Sequence, residues 1–339
     1  MIAVGLDFER QALTQWEVDR PPRPGVGEVV WRVAEVGVCG TDRELAMFTL
    51  GYPPPGERRL TIGHEAAGQV VQVGPEAGGL APGDWVTAMI RRPCSPACSE
   101  CGRGRRDLCL TGGFTERGIF GVHGYFTEFA LDAAADLVRV PSRIIRHAVL
   151  VEPLSVVEKT IERALQVHPG SPRTALVLGA GPIGMLSAFA LHVRGLDVTL
   201  LSLEPPESPR ARLLETAGVR YVTSECPKAE VVIEAAGVAQ AGFDAIAHLT
   251  PNGVCGILGA RNGEGPVPFL DMIRGNHVVF GSVNAHRKAF EAAVEDLGRF
   301  EPAWLDGMLH RLSWRDYRTL LTPPPGAVKV VHTLGDDLH

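Results

Sequence analysis

Three residues that can bind a metal ion stand far apart in this sequence, each within a short distinctive segment. Cys39 lies in Gly-Val-Cys-Gly-Thr-Asp, His64 in Gly-His-Glu, and Glu152 in Val-Glu-Pro. Thiolate, imidazole and carboxylate all bind zinc, and a catalytic zinc ion needs about three protein ligands with one position left open. We therefore predict a catalytic zinc site at these residues, with Glu65 coordinating directly or through water.

Each of these side chains has an ordinary alternative role when it is taken alone. A cysteine such as Cys39 is more often a buried apolar thiol, and His64 alone is more often a hydrogen-bonded core histidine. Their joint occurrence favours the metal, which would polarise a substrate hydroxyl so that hydride can leave its carbon. Thr41 is placed to pass the hydroxyl proton toward solvent, or else it bonds to local backbone.

Four further cysteines form a separate and much denser group within sixteen residues of the chain. Such short spacing, with glycines that let the chain fold back, is typical of a closed tetrahedral structural zinc site. A reduced cluster without metal is the alternative, and it would be liable to oxidation. The predicted ligands of this second zinc ion are Cys94, Cys98, Cys101 and Cys109.

A glycine-rich turn between a predicted strand and a predicted helix indicates a dinucleotide site. In this pattern Gly179 makes the turn, Gly181 lets the backbone approach the pyrophosphate, and Gly184 packs the helix on the strand. Pro182 and Ile183 begin the helix, whose free N–H groups and positive dipole end face the phosphates. A purely structural turn is the alternative.

A glutamate at the end of the next predicted strand indicates which nicotinamide dinucleotide the protein uses. Glu204, twenty residues after Gly184, can accept hydrogen bonds from the adenosine ribose and would repel a 2′-phosphate, which favours NAD over NADP. A solvated surface glutamate is the alternative, because Arg210 and Arg212 are close enough in sequence to bind a phosphate. The ends of later strands supply the remaining predicted cofactor contacts, Gly237, Gly259, Ser282 and Asn284.

The order of elements predicts two domains. Short β-branched runs separated by turns fill the first 150 residues and suggest a small β-barrel. After Glu152-Pro153 strands alternate with helices, which implies a doubly wound parallel sheet. A last strand near 327–333 has no crossover helix before it, so we expect it to return to the first domain. The predicted elements of the sheet domain are strands at 175–179, 197–203, 230–234, 253–258 and 277–281 and helices at 154–166, 182–194 and 208–217.

Composition excludes several other classes of protein. A formal charge of −6 lacks the basic excess that nucleic acid binding requires, and it does not favour a membrane surface. The uncharged stretch 174–193 contains three glycines and Pro182 in its first half, so it reads as a strand turning into a helix rather than a membrane span. Clustered cysteines and a start without a basic, apolar leader favour a cytoplasmic protein.

These motifs together resemble the zinc-dependent medium-chain dehydrogenases, and within them the microbial glucose dehydrogenases. The Arg-Arg before the first cluster cysteine and the Gly-x-Val-Asn ending are more specific than the general dehydrogenase pattern. The segments that carry the resemblance are Gly37–Asp42, Gly63–Glu65, Arg91–Cys94, Gly118–Ile119, Val151–Leu154, Gly179–Gly184 and Gly281–Asn284.

The resemblance implies a GroES-like β-barrel catalytic domain, 1–154 with 286–339, and a Rossmann dinucleotide-binding domain, 155–285. It implies oxidation of an aldose, with D-glucose as the expected substrate, at C1 to the lactone, with zinc surrounded by Cys39, His64, Glu65 and Glu152. It also implies that Thr41, Glu116, Glu152 and Asn284 face the sugar or the nicotinamide. A homodimer or homotetramer is expected by the same likeness.

Three other functions remain open at this point. A polyol or secondary alcohol dehydrogenase of the same fold, acting on sorbitol or threonine, would use the same zinc and cofactor. A nucleotide-binding protein without catalysis would bind no metal at the first site. A zinc module that binds RNA would need a basic face with stacking aromatics, and the segment 103–106 has no aromatic residue nearby.

Overall fold

The protein is described by a computed structural model that covers residues 1–259 and 264–335. Its chain divides into two compact units. Unit 1 comprises Met1–Glu152, His286–Leu297 and Leu309 onward, and unit 2 comprises Pro153–Ala285 and Gly298–Met308. The predicted domains placed all of 286–339 in the first domain, whereas Gly298–Met308 packs with unit 2. Residues 260–263 and 336–339 of the predicted domains lie outside the described residues.

Short strands dominate unit 1 and the longer helices lie mostly in unit 2. The strands are β1 (Ile2–Asp7), β2 (Ala12–Glu17), β3 (Glu28–Gly37), β4 (Arg59–Thr61), β5 (Glu65–Val73), β6 (Trp85–Ala88), β7 (Arg91–Arg92), β8 (Thr115–Arg117), β9 (Gly121–Val122), β10 (Phe129–Ala133), β11 (Leu137–Val140), β12 (Thr174–Leu178), β13 (Asp197–Leu201), β14 (Arg220–Val222), β15 (Ala229–Glu234), β16 (Leu249–Ile257), β17 (Val278–Gly281), β18 (Leu309–Ser313) and β19 (Lys329–Thr333). The α-helices are α1 (Gly40–Ala46), α2 (Ser99–Gly102), α3 (Val151–Val167), α4 (Pro182–Val193), α5 (Pro209–Thr216), α6 (Ala239–Ala247), α7 (Phe269–Gly275), α8 (Arg287–Leu297) and α9 (Pro302–Met308).

Unit 1 is built from three sheets around one apolar core. Its largest sheet has the strand order β11-β6-β5-β3-β19-β18. Strand β10 also pairs with β3, along a different part of that strand from β19. Trp31, Tyr125 and Phe126 are fully buried in the core beneath these strands. As predicted, the last strand returns to the first unit, where β19 pairs antiparallel with β3. It places Lys329 beside the end of β3.

Unit 2 contains a six-stranded sheet with the order β14-β13-β12-β15-β16-β17. Every neighbouring pair in it is parallel. The order reverses between β12 and β15, and ligands of such sheets bind outside the carboxyl ends of the strands at this reversal. The strand β14 and the helices α6 and α7 were not predicted from the sequence.

The helix after the unit boundary begins earlier than predicted. Residues 154, 157 and 161 of α3 are buried on one face, as its apolar spacing indicates. The helix starts at Val151 rather than Leu154, so Glu152 lies in its first turn. Among the described residues, no helix combines the length and the apolar character needed to cross a membrane.

Candidate active site

The segment after β3 positions Cys39 at the start of a helix. Cys39 is the N-cap of α1, and its sulfur accepts a hydrogen bond from the backbone N–H of Thr41 at 3.2 Å. The carboxylate of Asp42 accepts one in return from the N–H of Cys39 at 2.8 Å. This reciprocal capping pattern fixes the direction of the thiol. Thr41 therefore lies within the same helical turn as the predicted metal ligand.

The start of β5 brings His64 and Glu65 to the same place. The Nε2 atom of His64 lies 3.1 Å from the sulfur of Cys39. Ligand atoms of Cys39, His64 and Glu65 all fall within 4.8 Å of one another. The sequence separates Cys39 from His64 by α1, a loop and β4, so tertiary structure assembles this group.

Asp42 is a member of this site that the sequence analysis did not assign. Its Oδ1 lies 3.5 Å from Nδ1 of His64, and both side chains are buried. Metal-bound histidines usually offer their second ring nitrogen to a carboxylate, which fixes the ring. The position of Asp42 is thus suited to orienting His64 with Nε2 toward a metal ion.

Lys329 is a second unassigned member. It is 1% exposed, pairs with Oε2 of Glu65, and donates a hydrogen bond to the carbonyl of Val38 at 3.0 Å. A Cβ on Gly37 would lie 2.3 Å from Oε2 of Glu65 and 3.0 Å from Cε of Lys329. A larger residue at position 37 would therefore displace the carboxylate of this buried ion pair.

The buried charges around Cys39, His64 and Glu65 would be balanced by a bound cation. Burial raises the pKa of Glu152, and the charge of Glu65 raises it further. Burial lowers the pKa of His64, but the charges of Cys39 and Asp42 outweigh burial and hold that pKa well above its usual value. Both shifts reflect a surplus of acidic groups in a buried place, which a divalent cation would offset. The donor set of Cys39, His64 and carboxylates is one that zinc accepts.

Two other predicted residues lie within electrostatic reach of this group. Glu152 is buried in the first turn of α3, and its carboxyl responds to the charges of His64, Glu65 and Lys329. Glu116 lies on β8, is buried, and also acts on the pKa of Glu152. The carboxylate of Glu116 pairs with Nε of Arg91 at 2.7 Å.

The four clustered cysteines come together as the spacing predicted. Their sulfur atoms all lie within 4.8 Å of one another. A hydrogen bond with Thr111 lowers the pKa of Cys109, and backbone N–H groups lower that of Cys98, whereas burial raises that of Cys101. Backbone N–H groups aimed at thiols favour the thiolate, which is the form that binds zinc. All seven cysteines of the chain are free thiols.

The glycine turn of unit 2 has the backbone that the motif predicted. Gly179 follows β12 with φ +102°, and Gly181 is the N-cap of α4 with Pro182 in the first turn. A Cβ on Gly184 would lie 1.9 Å from the carbonyl oxygen of Gly179, whereas a Cβ on Gly181 would meet nothing within 4 Å. Gly181 thus leaves open space where a ligand can approach.

A cavity of about 630 Å³ opens at this turn, and Gly179, Gly181, Arg210 and His248 line it. The carboxylate of Glu204 pairs with Nη1 of Arg210 at 2.5 Å. The residue predicted to bind the ribose hydroxyls is therefore in contact with an arginine that could bind a phosphate. Tyr221 fixes this strand end by donating to the carbonyl of Glu204 at 2.8 Å.

Other predicted cofactor residues lie at the ends of neighbouring strands. Glu234, which ends the predicted strand 230–234 at this carboxyl edge, is fully buried and accepts hydrogen bonds from the N–H groups of Ala236, Gly237 and Gly259. It therefore holds the loops after β15 and β16 together. Ser282 and Asn284 follow β17, and Asn284 is buried with φ 60°.

Comparisons with known proteins match both halves of the chain. Residues 25–142 match the alcohol dehydrogenase GroES-like domain, and residues 145–334 match the glucose dehydrogenase C-terminus. Glucose 1-dehydrogenase of Methanocella arvoryzae is 37% identical over 91% of this chain and 91% of that protein. Glucose 1-dehydrogenase 1 of Caldivirga maquilingensis is 38% identical over 93% of this chain and 96% of that protein.

A solved structure also superimposes on the chain. Haloferax mediterranei glucose dehydrogenase, in complex with NADP, Zn and gluconolactone, has a TM-score of 0.91 and 29% identity, covering 99% of both chains. These matches confirm the predicted fold class, a GroES-like β-barrel joined to a Rossmann sheet. They also exclude the RNA-binding zinc module as a description of this fold.

Proposed function

Because this chain belongs to the zinc-dependent medium-chain dehydrogenase family, in its glucose dehydrogenase branch, we propose that it oxidises D-glucose at C1 with a nicotinamide dinucleotide. The observation that carries the proposal is the convergence of Cys39, His64 and Glu65, whose ligand atoms lie within 4.8 Å. The product is the aldonolactone.

The proposed reaction removes a hydride from C1 and a proton from the C1 hydroxyl. The hydride reduces NAD(P)⁺ to NAD(P)H, the C1–O bond becomes a carbonyl, and the proton is released to solvent. Cys39, His64, Glu65 and Glu152 would hold the zinc ion, which when bound would polarise the C1 hydroxyl as a Lewis acid and lower its pKa.

The side chains of unit 1 have separate tasks in this proposal. Asp42 orients His64, Lys329 balances the charge of Glu65, and Thr41 receives the hydroxyl proton on its way to solvent. Buried Glu116 and Glu152 accept hydrogen bonds from sugar hydroxyls. In unit 2, Asn284 contacts sugar or nicotinamide. Buried carboxylates suit this task, because a substrate without matching hydroxyls cannot make these hydrogen bonds and so binds less tightly.

We propose NAD as the preferred cofactor, with Glu204 accepting the ribose hydroxyls. Glu204→Ala removes the charge that would repel a 2′-phosphate and frees Arg210 from its ion pair. The change should therefore raise kcat/KM with NADP relative to NAD. Arg210→Ala is the matched variant, and it should not favour NADP. A Glu204→Ala enzyme with an unchanged or lowered NADP to NAD ratio would refute this assignment.

Two further assignments concern the whole protein. Free thiols at all seven cysteines are typical of a reducing compartment, which supports a cytoplasmic location. A homodimer or homotetramer is supported by unit 2, where β17 is the last strand of the described sheet and α7 beside it exposes apolar side chains.

The substrate is tested by steady-state kinetics with D-glucose, D-galactose and D-xylose against NAD and NADP. We expect D-glucose to give the highest kcat/KM with formation of the lactone. Reaction with sorbitol or threonine but with none of the three aldoses would select the polyol or secondary alcohol alternative. Cofactor binding without turnover of any of these compounds would select the nucleotide-binding protein.

The metal is tested by elemental analysis of two variants. Wild type should contain two zinc ions per subunit, Cys39→Ser should lose one together with activity, and Cys109→Ser should lose the other. A wild type with a single zinc ion that persists in Cys39→Ser, with undiminished turnover, would contradict the catalytic site.

A further inference from the structure

Two short strands hold an arginine and a glutamate face to face inside unit 1. Arg91 of β7 and Glu116 of β8 are direct partners in an antiparallel pair. Their side chains form an ion pair of 2.7 Å, Nε to Oε1, and the two residues are 7% and 5% exposed. A buried ion pair of this kind is sensitive to the loss of either partner, because the remaining charge is left in a poorly solvated place.

The other contacts of Arg91 lead to the four-cysteine loop, which we define as Cys94–Cys109. Nη1 of Arg91 donates to the carbonyl of Asp107 at 3.2 Å, two residues before Cys109. Arg106 donates in return to the carbonyl of Arg91 at 3.1 Å. The guanidinium also lies 3.8 Å from the ring centroid of Phe114, just beyond the loop. The side chain of Arg91 thus links the C-terminal end of the loop to β8.

The turn after β8 packs against the segment that carries the predicted zinc ligand His64. A Cβ on Gly118, two residues after Glu116, would lie 2.6 Å from the carbonyl oxygen of Gly63, the residue before His64. Glu116 is therefore close in the chain to a contact with the proposed zinc site, and Arg91 links it to the four-cysteine loop.

We propose that Arg91 is a positioning residue that holds the carboxylate of Glu116 toward the sugar and couples its position to the metal-loaded state of the four-cysteine loop. The inference rests on the proposed function, because it takes Glu116 as a sugar ligand. It assigns the second metal site a role in substrate affinity in addition to folding.

The geometry determines what each substitution at position 91 does. Arg91→Met removes the cation that pairs with the buried carboxylate of Glu116, so this carboxylate is no longer held in place to accept a hydrogen bond from a sugar hydroxyl. Arg91→Lys keeps the charge but has no planar fork to contact Glu116 and Asp107 together. Lysine should therefore restore part of the sugar affinity while leaving the loop uncoupled.

Steady-state kinetics test the positioning role in the zinc-loaded enzyme. Arg91→Met should raise KM for D-glucose by roughly tenfold to a hundredfold, the range for a lost charge-assisted hydrogen bond, with KM for the dinucleotide unchanged. Arg91→Lys should lie between wild type and Arg91→Met. Arg103→Met is the control, since Arg103 lies in the same loop with its side chain 68% exposed. Equal KM values in Arg91→Met and Arg103→Met would overturn the role.

Hydrogen exchange tests the coupling without using activity. Cys109→Ser, which removes one ligand of the loop metal, should speed amide exchange in residues 115–122 of the otherwise unchanged protein. In the Arg91→Lys background the same substitution should add little further exchange there, because the connection is already broken. Additive effects, or no effect of Cys109→Ser on 115–122, would overturn the coupling. A wild type that oxidises no aldose would instead refute the proposed function, while the exchange result still decides the coupling.

Discussion

Lys329 brings a positive charge into a buried site that otherwise gathers acidic groups and a thiol. Its partner Glu65 is almost fully buried, so neither charge can return to water without local unfolding. Removing one member of such a pair typically costs about 3–5 kcal/mol, because the other charge stays buried and unbalanced. Lys329→Met should therefore lower the free energy of unfolding by about this amount, as measured by denaturant titration.

The control for this prediction is Lys288→Met, which removes an exposed lysine of α8 in the same unit. It should change stability by about 0.5 kcal/mol or less. The double variant Lys329→Met with Glu65→Gln should lose less than the sum of its single variants. A Lys329→Met protein as stable as the control would mean that the ion pair has no net effect.

At this scale, local sequence identified the side chains that converge better than the residues that support them. Cys39, His64 and Glu65 stand in distinctive segments, and the structure brings their ligand atoms together. Lys329 lies in an apolar strand at the other end of the chain, and nothing around it indicates an ion pair with Glu65. The partner of a buried charge depends on strand pairing between distant segments, which residue types alone do not specify.

The glycine turn between β12 and α4 allows two roles of glycine to be separated at the level of one element. At Gly184 a Cβ would overlap the carbonyl of Gly179, so alanine must displace α4 from β12. At Gly181, with φ −75°, a Cβ meets no protein atom within 4 Å. Gly184→Ala should lower both stability and dinucleotide affinity, whereas Gly181→Ala should keep wild-type stability and lose only affinity.

Thermal unfolding and titration of NADH fluorescence would measure these two effects. A loss of roughly 1–3 kcal/mol is expected for Gly184→Ala, the range for overpacking. If Gly181→Ala bound the dinucleotide as tightly as wild type, the pyrophosphate would not approach this residue, and the motif would be structural only.

Backbone N–H groups at the start of β12 donate hydrogen bonds to a carboxylate of the neighbouring strand β15. Glu230 accepts hydrogen bonds from the backbone N–H groups of Arg173 and Thr174, at 2.7 and 3.0 Å, and these bonds lower its pKa. A group whose pKa is lower in the folded state stabilises the protein above its unfolded pKa, and this contribution disappears as pH falls through the folded pKa. The affected window therefore lies at and below about pH 4.5, near the value for a free glutamate.

Glu230→Gln should accordingly reduce the free energy of unfolding at pH 7 by about 1–2 kcal/mol, toward the lower end for hydrogen bonds to a charged group because solvent screens this carboxylate. The difference between wild type and variant should shrink as pH is lowered from 5 toward 3, because protonated Glu230 then resembles glutamine. Urea titrations at several pH values measure it. A difference that stays constant over that range would exclude the carboxylate as its cause.

Elements with a strong periodic pattern were predicted and short irregular ones were not. Strands β12, β13, β15 and β17 and helix α4 are within a few residues of their predicted ranges. The N-cap of helix α6, Val238, provides no side-chain hydrogen bond, and the helix contains Gly242. Helix α7 has seven residues and exposes apolar side chains, so no buried stripe marks it. Tertiary contacts stabilise such helices more than local propensity does.

At the scale of the whole molecule, the sequence predicted that the last strand returns to the first unit, and the structure confirms it. The location of Gly298–Met308 in unit 2 was not predicted. In this segment Trp304 packs against Phe189 of α4. Aromatic pairs between distant segments follow from the packed core, and no local pattern identifies them in advance.

An edge strand with an apolar neighbour leads to a prediction about assembly. Among the described strands, β17 closes one side of the sheet in unit 2 and leaves backbone groups without a strand partner. Beside it, α7 exposes Phe269, Leu270 and Ile273, at 69, 57 and 73%. Contiguous exposed apolar side chains mark interfaces, and open edges invite pairing with another chain. A second copy of this chain, joined edge to edge about a twofold axis, would satisfy both features at once.

Ile273→Glu places a charge in that interface and should shift the protein to a smaller species, as measured by sedimentation velocity. An interface that closes over a charged side chain leaves that charge unpaired and desolvated, which costs several kcal/mol. A twofold axis repeats this cost in both subunits. Leu110→Glu is the matched control, because Leu110 is 69% exposed in unit 1, far along the chain from β17. It should leave the molar mass unchanged. If Ile273→Glu and Leu110→Glu sediment alike, the subunits do not meet at β17 and α7, since a buried glutamate at position 273 could not be tolerated there.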